Sequence, residues 1–155
     1  WLDHPRIPAG SQSADQLFGK AEHYYLRMYA TSKQKGHPHG KADGHIAASY
    51  LIPFLVHFEG DERIGEALFM MGDIRSRSWT DRGYWSENYY LKELIRRYPH
   101  TPLAKKAWRL LNDDVRSGYS GSSGDHTPPS LVAMLSTYRR LASPKCTAKR
   151  GPPRR

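Results

Sequence analysis

The stretch "YYLKELIRRYPHTPLAKKAWRLL", residues 89–111, predicts two helices that meet at a tyrosine-proline corner. Thr101 is a favourable N-cap and Pro102 fits the first turn of the second helix. An earlier stretch, "SYLIPFLVHFEGDERIGEALFMM", residues 49–71, has a similar shape. At a constant shift of 40 residues, Tyr50, Leu51, Phe58 and Ala67 fall on Tyr90, Leu91, Tyr98 and Ala107. Such a fixed period is typical of a solenoid of helical hairpins, each burying its apolar face against its neighbour.

The rest of the chain predicts further helices and no strand. Ser13 and Gln16 have the spacing of a capping box, and apolar residues then recur at helical spacing. The predicted helices run from Ser13 to near Lys33, from about Ile46 to Phe58 with Pro53 inside, from Glu62 to about Ser78, from Tyr84 to Tyr98, from Pro102 past Val115, and onward from Thr127 and Pro128. The expected fold class is all-α, a short right-handed solenoid of helical hairpins with a C-terminal capping helix and extended termini. A small residue, Gly72, inside the third helix predicts a close approach of another helix.

The 155 residues are enough for one domain. We expect an extended N-terminal arm at residues 1–12, a helical-repeat domain at 13–142 and a basic, Pro-rich tail at 143–155. A His- and Gly-rich insertion is expected at about 33–45, between the first and second helices.

The net charge of +9 is concentrated at the C-terminal end of the chain. Seven of these charges lie beyond Tyr138, where the sequence contains no acidic residue, which leaves about +2 for the rest. The charged residues of the predicted tail are Lys145, Lys149, Arg150, Arg154 and Arg155. Such a segment is typical either of a solubilising end or of a docking segment for an anionic partner. The second interpretation keeps open an alternative function, nucleic-acid or anionic-membrane binding through the tail.

Metal, haem and disulfide sites find little support in the sequence. Cys146 is the single cysteine, so the chain forms no internal disulfide and carries no cysteine zinc site. His37, His39 and His45 lie close together in sequence, but the predicted loop gives them no fixed geometry, and we expect no metal and no cofactor.

An enzymatic function is also not expected. Acidic residues cluster around the start of the third helix, and with one histidine they resemble an acid-base site. These residues are His57, Glu59, Asp61, Glu62, Glu66 and Asp73. Helix capping and surface charge explain them with fewer assumptions, and the chain contains no phosphate-binding loop, dinucleotide fingerprint, metalloprotease motif or nucleophile elbow.

The stretch "GEALFMMGDIRSRSW…YWSENYYLKELIRRYPHTPLAKKAW" resembles the tetratricopeptide-repeat family over roughly residues 47–111. It looks most like the bacterial cell-envelope members of that family, the outer-membrane assembly and Tol–Pal-associated proteins. The resemblance implies a concave groove lined by the first helix of each hairpin. Carried over position by position, the groove residues are Lys20, His23, Arg27, Glu66, Phe69, Asp73, Ser76, Arg77, Lys106, Arg109, Asp113 and Arg116.

The resemblance implies a non-enzymatic scaffold or adaptor subunit. It would dock a partner protein or peptide within a larger extracytoplasmic assembly, in the periplasm or cell envelope. The basic excess of the groove suits a partner that bears carboxylates, held by arginine forks. The aromatic residues Trp79, Tyr84 and Trp85 are a possible interface loop. The period of 40 is also compatible with a HEAT-like stack of helical hairpins. The chain begins at Trp1 rather than Met, so we expect that a preceding segment has been removed, and with it any visible signal.

Overall fold

The computed structural model describes residues 12–32, 39–77, 88–122 and 124–144. These residues form six helices and one short ribbon: α1 (Ala14–Ser32), α2 (His39–His57), α3 (Ile64–Arg77), α4 (Tyr89–Arg97), α5 (Pro102–Tyr119), β1 (Ser120–Gly121), β2 (Gly124–Asp125) and α6 (Pro129–Ala142). The predicted all-α class is confirmed, and the helices pack as hairpins. The N-terminal arm up to residue 11, the loop of Trp79, Tyr84 and Trp85, and the tail from Lys145 lie outside the described residues.

The first helix begins with the predicted capping box. The Ser13 backbone N–H donates to Gln16 Oε1 at 3.0 Å, and the Gln16 N–H donates to Ser13 Oγ at 3.2 Å. Both donors would otherwise lack a partner at a helix start.

Helix α2 begins seven residues before the predicted start at Ile46, so part of the expected insertion is helical. The reason is packing against α1. Asp43 is only 1 % exposed and accepts from Arg27 at 2.8 and 3.1 Å, and Gly44 lies against Met28. At the other end of the hairpin, the rings of Phe18 and Phe54 lie 5.3 Å apart. These contacts show that α1 and α2 are antiparallel, with the early turns of α2 fixed against the late turns of α1.

Helices α2 and α4 end at positions that are 40 residues apart, the same shift that relates the two repeats in the sequence. Helix α2 ends at His57 and α4 ends at Arg97, and the next backbone N–H in each case bonds back to the last turn. The matched pairs Leu51 and Leu91, and Ala67 and Ala107, are fully buried. The repeated pattern therefore marks equivalent core positions in two parts of the chain.

The tyrosine-proline corner joins α4 to α5. Thr101 Oγ1 accepts from the Ala104 N–H at 3.1 Å, which confirms the predicted N-cap. His100 has a positive φ of 66°, and its N–H donates to the Leu141 carbonyl at 2.7 Å. The corner is therefore held by the last turn of α6.

Helix α3 packs on α4 and α5, and α6 packs on α4 and α5. Gly72 lies where α3 meets α4: a Cβ atom there would come within 2.5 Å of Leu91 Cγ, which confirms the predicted close approach. The core is continuous through the helices, and its largest fully buried apolar side chains are Leu51, Phe54, Ile64, Leu91, Leu94, Ile95, Leu111 and Val115. The ribbon, antiparallel with Ser120 paired to Asp125, was not predicted because two residues are too few for an alternating pattern.

Candidate functional site

Helix α1 presents two of its predicted groove residues, Lys20 and Arg27, toward α2 rather than toward α3. Lys20 Nζ lies 5.4 Å from the centre of the Tyr50 ring, and Arg27 pairs with Asp43. His23 is exposed, with its ring 5.3 Å from that of Tyr24. The structure therefore does not bring Lys20 and Arg27 together with the predicted groove residues of α3 and α5.

The residues of α1 that do reach α3 are Tyr25 and Tyr29. Both hydroxyls donate to Oδ2 of Asp73, and the distance from the Tyr25 hydroxyl is 2.8 Å. Arg77 Nε donates to Asp73 Oδ1 at 3.2 Å, and the Arg77 guanidinium stacks 4.2 Å from the centre of the Tyr29 ring. We call Tyr25, Tyr29, Asp73 and Arg77 the Asp73 cluster. The spacing of the two tyrosines by four residues is the sequence signal that was missed.

The Asp73 cluster is a structural connection between α1 and α3. Asp73 is only 2 % exposed and both its oxygens accept hydrogen bonds, as expected of a buried carboxylate. Its predicted place in an open groove does not match this burial, and Phe69, also predicted in the groove, is buried as well.

Burial and the nearby Asp73 charge raise the pKa of Tyr25, and burial together with the Asp73 hydrogen bond raises that of Tyr29. A tyrosine whose pKa is higher in the folded state contributes stability that is complete below its unfolded pKa of about 10 and is lost above it. We therefore expect the melting temperature to fall as the pH rises above about 10, and Tyr25→Phe to lessen that fall. Calorimetry between neutral and alkaline pH measures how steeply the melting temperature of each protein falls with pH. Equal slopes for the two proteins would contradict this role of Tyr25.

A second set of polar contacts joins α3, α4 and α5. Asn88 is buried, caps α4, and donates through Nδ2 to the Gly72 carbonyl at 3.0 Å and to Ser76 Oγ at 3.2 Å. Ser76 in turn bonds Asp114 of α5. Ser76, predicted in the groove, is therefore part of a helix junction.

Among the remaining groove residues, Lys106 of α5 reaches α3. Lys106 Nζ lies 4.3 Å from the centre of the Phe69 ring, which places the α5 side chain over α3. Arg116 pairs with Asp125 of the ribbon and also donates to Asn112. We call the exposed side chains Glu66 of α3 and Lys106, Arg109 and Asp113 of α5 the α3/α5 face.

Several cations of the described ranges have no carboxylate within 4.0 Å, among them Arg75 of α3, Arg139 and Arg140 of α6, and two residues of the α3/α5 face. Six arginines of the described ranges lie within 4.0 Å of a carboxylate oxygen: Arg27, Arg63, Arg77, Arg96, Arg97 and Arg116. In the same ranges, neither Lys106 nor Arg109 has a carboxylate partner. These two cations are available to an external anion.

The acidic residues considered for catalysis have structural partners or lie on the surface. The Arg63 side chain donates two hydrogen bonds to Asp61, which lowers the pKa of that carboxyl to about 2. Glu59 pairs with Arg97 at 3.4 Å, and Glu62 and Glu66 are exposed. Within residues 12–32, 39–77, 88–122 and 124–144, no three His, Cys, Asp or Glu side chains come together in a way that would hold a metal ion. His37 lies outside these ranges.

None of the described helices is both long and apolar enough to cross a membrane. Comparison of the chain with protein-family models, with curated proteins and with solved structures found no match.

Proposed function

We propose that the protein is a non-enzymatic scaffold or adaptor subunit that docks a partner protein or peptide on its α3/α5 face. The observation that carries this proposal is the pair of cations, Lys106 and Arg109, that lack carboxylate partners within the described ranges. They lie one turn apart on α5, and the contact of Lys106 with Phe69 directs the Lys106 side chain toward α3.

The proposed architecture is a short right-handed solenoid of tetratricopeptide-like hairpins, with α6 as the capping helix. The equivalent ends of α2 and α4 and the equivalent buried residues of the two repeats support it. In such a stack α3 and α5 are first helices of successive hairpins, and their shared face is the binding surface. The resemblance to cell-envelope repeat proteins is the reason for proposing an extracytoplasmic assembly as the setting.

The chemistry of the α3/α5 face defines the partner. The Arg109 guanidinium can hold a carboxylate through two parallel hydrogen bonds, and Lys106 adds a second positive charge one turn away. Glu66 and Asp113 are exposed on the same face and would accept hydrogen bonds from cationic or amide groups. The best match is a peptide segment that carries an acidic pair together with polar groups.

A peptide-binding experiment tests this proposal. The intact chain is incubated with an array of synthetic peptides that vary in the number and spacing of acidic residues, and the best binders are measured in solution. We expect Arg109→Glu to weaken binding at least about tenfold, because a charge-assisted hydrogen bond is replaced by a repulsion. Arg140→Glu makes the same charge change at an exposed position of α6 and is the control.

Removal of residues 143–155 distinguishes the alternative function. Acidic peptide binding that survives the truncation and is lost in Arg109→Glu supports the adaptor. If no peptide binds, and the chain retains RNA, DNA or anionic vesicles only when the tail is present, the proposal is wrong. Binding through the tail would also weaken steeply as salt is raised.

A further inference from the structure

Helix α2 has a buried face and an outward face, and both are apolar. The inner face contributes Ala47, Leu51 and Phe54 to the core. On the outward side, Ile46 is 37 %, Ile52 50 % and Val56 67 % exposed. A helix that is apolar on all sides is normally buried on all sides, and none of the described helices covers the outward face of α2.

The outward face is also free of charge. Residues 44–58 contain no Lys, Arg, Asp or Glu, although the chain as a whole has a net charge of +9. A surface formed by an oppositely charged partner would be expected to carry complementary charge. An uncharged face, in contrast, can meet an identical face without repulsion.

The outward residues are arranged symmetrically about Ser49. Ile46 and Ile52 lie three residues to either side, and the exposed residues Ala42 and Val56 lie seven residues to either side. If two α2 helices cross in opposite directions at Ser49, Ile46 of each meets Ile52 of the other, and Ala42 meets Val56. A pattern that complements its own reverse is what a twofold, isologous contact requires.

Ser49 itself suits the crossing point. Its side chain is small, so two helix backbones can approach closely there. Its hydroxyl donates to the Ile46 carbonyl of the same helix at 2.7 Å. Burial against a second helix would therefore leave no unsatisfied donor, which would otherwise be costly.

From these observations we propose that the outward face of α2 binds the same face of a second copy of the chain, with the twofold axis at Ser49. This contact uses a different helix from the α3/α5 face, so it does not depend on the proposed function. It leaves the α3/α5 face of each copy exposed, and the assembled pair would present two of them.

Sedimentation velocity on the full chain, from micromolar to submillimolar concentration, tests the contact. We expect a concentration-dependent dimer. Val56→Asp is expected to weaken self-association at least about tenfold, because it places two charges in a buried apolar contact. Val132→Asp makes the same change at an apolar residue of α6 that is 41 % exposed, and it should leave the dimer unchanged.

Crosslinking locates the twofold axis. In a Cys146→Ser background, Ser49→Cys should form a disulfide-linked dimer under mild oxidation, since residues at the crossing point of two copies can come within the roughly 7 Å that a disulfide requires. Val132→Cys in the same background should form no disulfide-linked dimer.

The proposal is overturned if the chain remains a monomer at every concentration or forms a dimer that Val56→Asp does not weaken. It is also overturned if Val132→Cys crosslinks and Ser49→Cys does not. A monomer whose outward face binds neutral lipid vesicles would assign the face to a membrane surface and equally overturn it. If Val56→Asp weakens the dimer and still binds acidic peptides, the loss of self-association is independent of peptide binding on the α3/α5 face.

Discussion

Replacing Asp73 by alanine is expected to lower the free energy of unfolding by about 3 kcal/mol, near the lower end of the cost of breaking a buried ion pair. The carboxylate is 2 % exposed and accepts from Tyr25, Tyr29 and Arg77. Its loss removes the acceptor of two tyrosine hydroxyls and the partner of one guanidinium. The estimate is at the lower end because Arg77 is half exposed and can turn toward water.

Chemical denaturation of the full chain measures this loss. Asp113→Ala is the matched control, since Asp113 is exposed on α5, and we expect that change to stay within about 0.5 kcal/mol. The double variant Tyr25→Phe with Asp73→Ala should cost less than the sum of the two single changes, because both remove the same hydrogen bond. A loss no greater than that of Asp113→Ala would show that the Asp73 cluster does not stabilise the fold.

Gly72→Ala is expected to lower the free energy of unfolding by about 1–3 kcal/mol, although alanine is the better helix former by about 1 kcal/mol. The new methyl group would lie 2.5 Å from Leu91 Cγ, and Leu91 is fully buried and has no room to move away. The contact between α3 and α4 would have to open.

Gly19→Ala is expected to have the opposite effect on the free energy of unfolding. Gly19 lies in α1 with no atom within 4 Å of the position of an added Cβ, so the change should stabilise the chain by up to about 1 kcal/mol. Leu91→Ala creates a cavity, and adding Gly72→Ala to it should cost less than in the native background, because the new methyl group enters vacated space. Thermal melts measure the stability of the four variants, which are Gly72→Ala, Gly19→Ala, Leu91→Ala and the double variant Leu91→Ala with Gly72→Ala. Equal stabilisation by Gly72→Ala and Gly19→Ala would contradict the close approach.

Helices with clear end signals were predictable from sequence, and those without were not. Ser13 with Gln16 and Thr101 with Pro102 identified two helix starts correctly because the caps are local interactions. The start of α2 was predicted too late, since the residues of α2 before Ile46 are polar or glycine except for Ala42. These residues pack on α1 through the ion pair between Asp43 and Arg27, which is a contact between two helices.

The candidate site was only partly predictable for the same reason. Tyr24 and Tyr25 are adjacent in sequence, yet the ring of Tyr24 stacks 6.2 Å from that of Tyr50 on α2, and Tyr25 bonds Asp73 on α3. One residue of helix rotates a side chain by about 100°, which is enough to change its neighbour. Sequence places Asp73 on a helix face, but only the packing of α1 on α3 shows that this carboxylate is enclosed.

The contact of His100 with α6 has a mechanical consequence. The His100 N–H donates to the Leu141 carbonyl at 2.7 Å, and His100 Nδ1 lies 2.6 Å from the carbonyl oxygen of Ser143, the residue directly after α6. Tension applied to the C-terminal segment would therefore load these two bonds early, and with them the corner between α4 and α5. A partner that pulls on the basic segment would act through this anchor on the helix that carries Lys106 and Arg109.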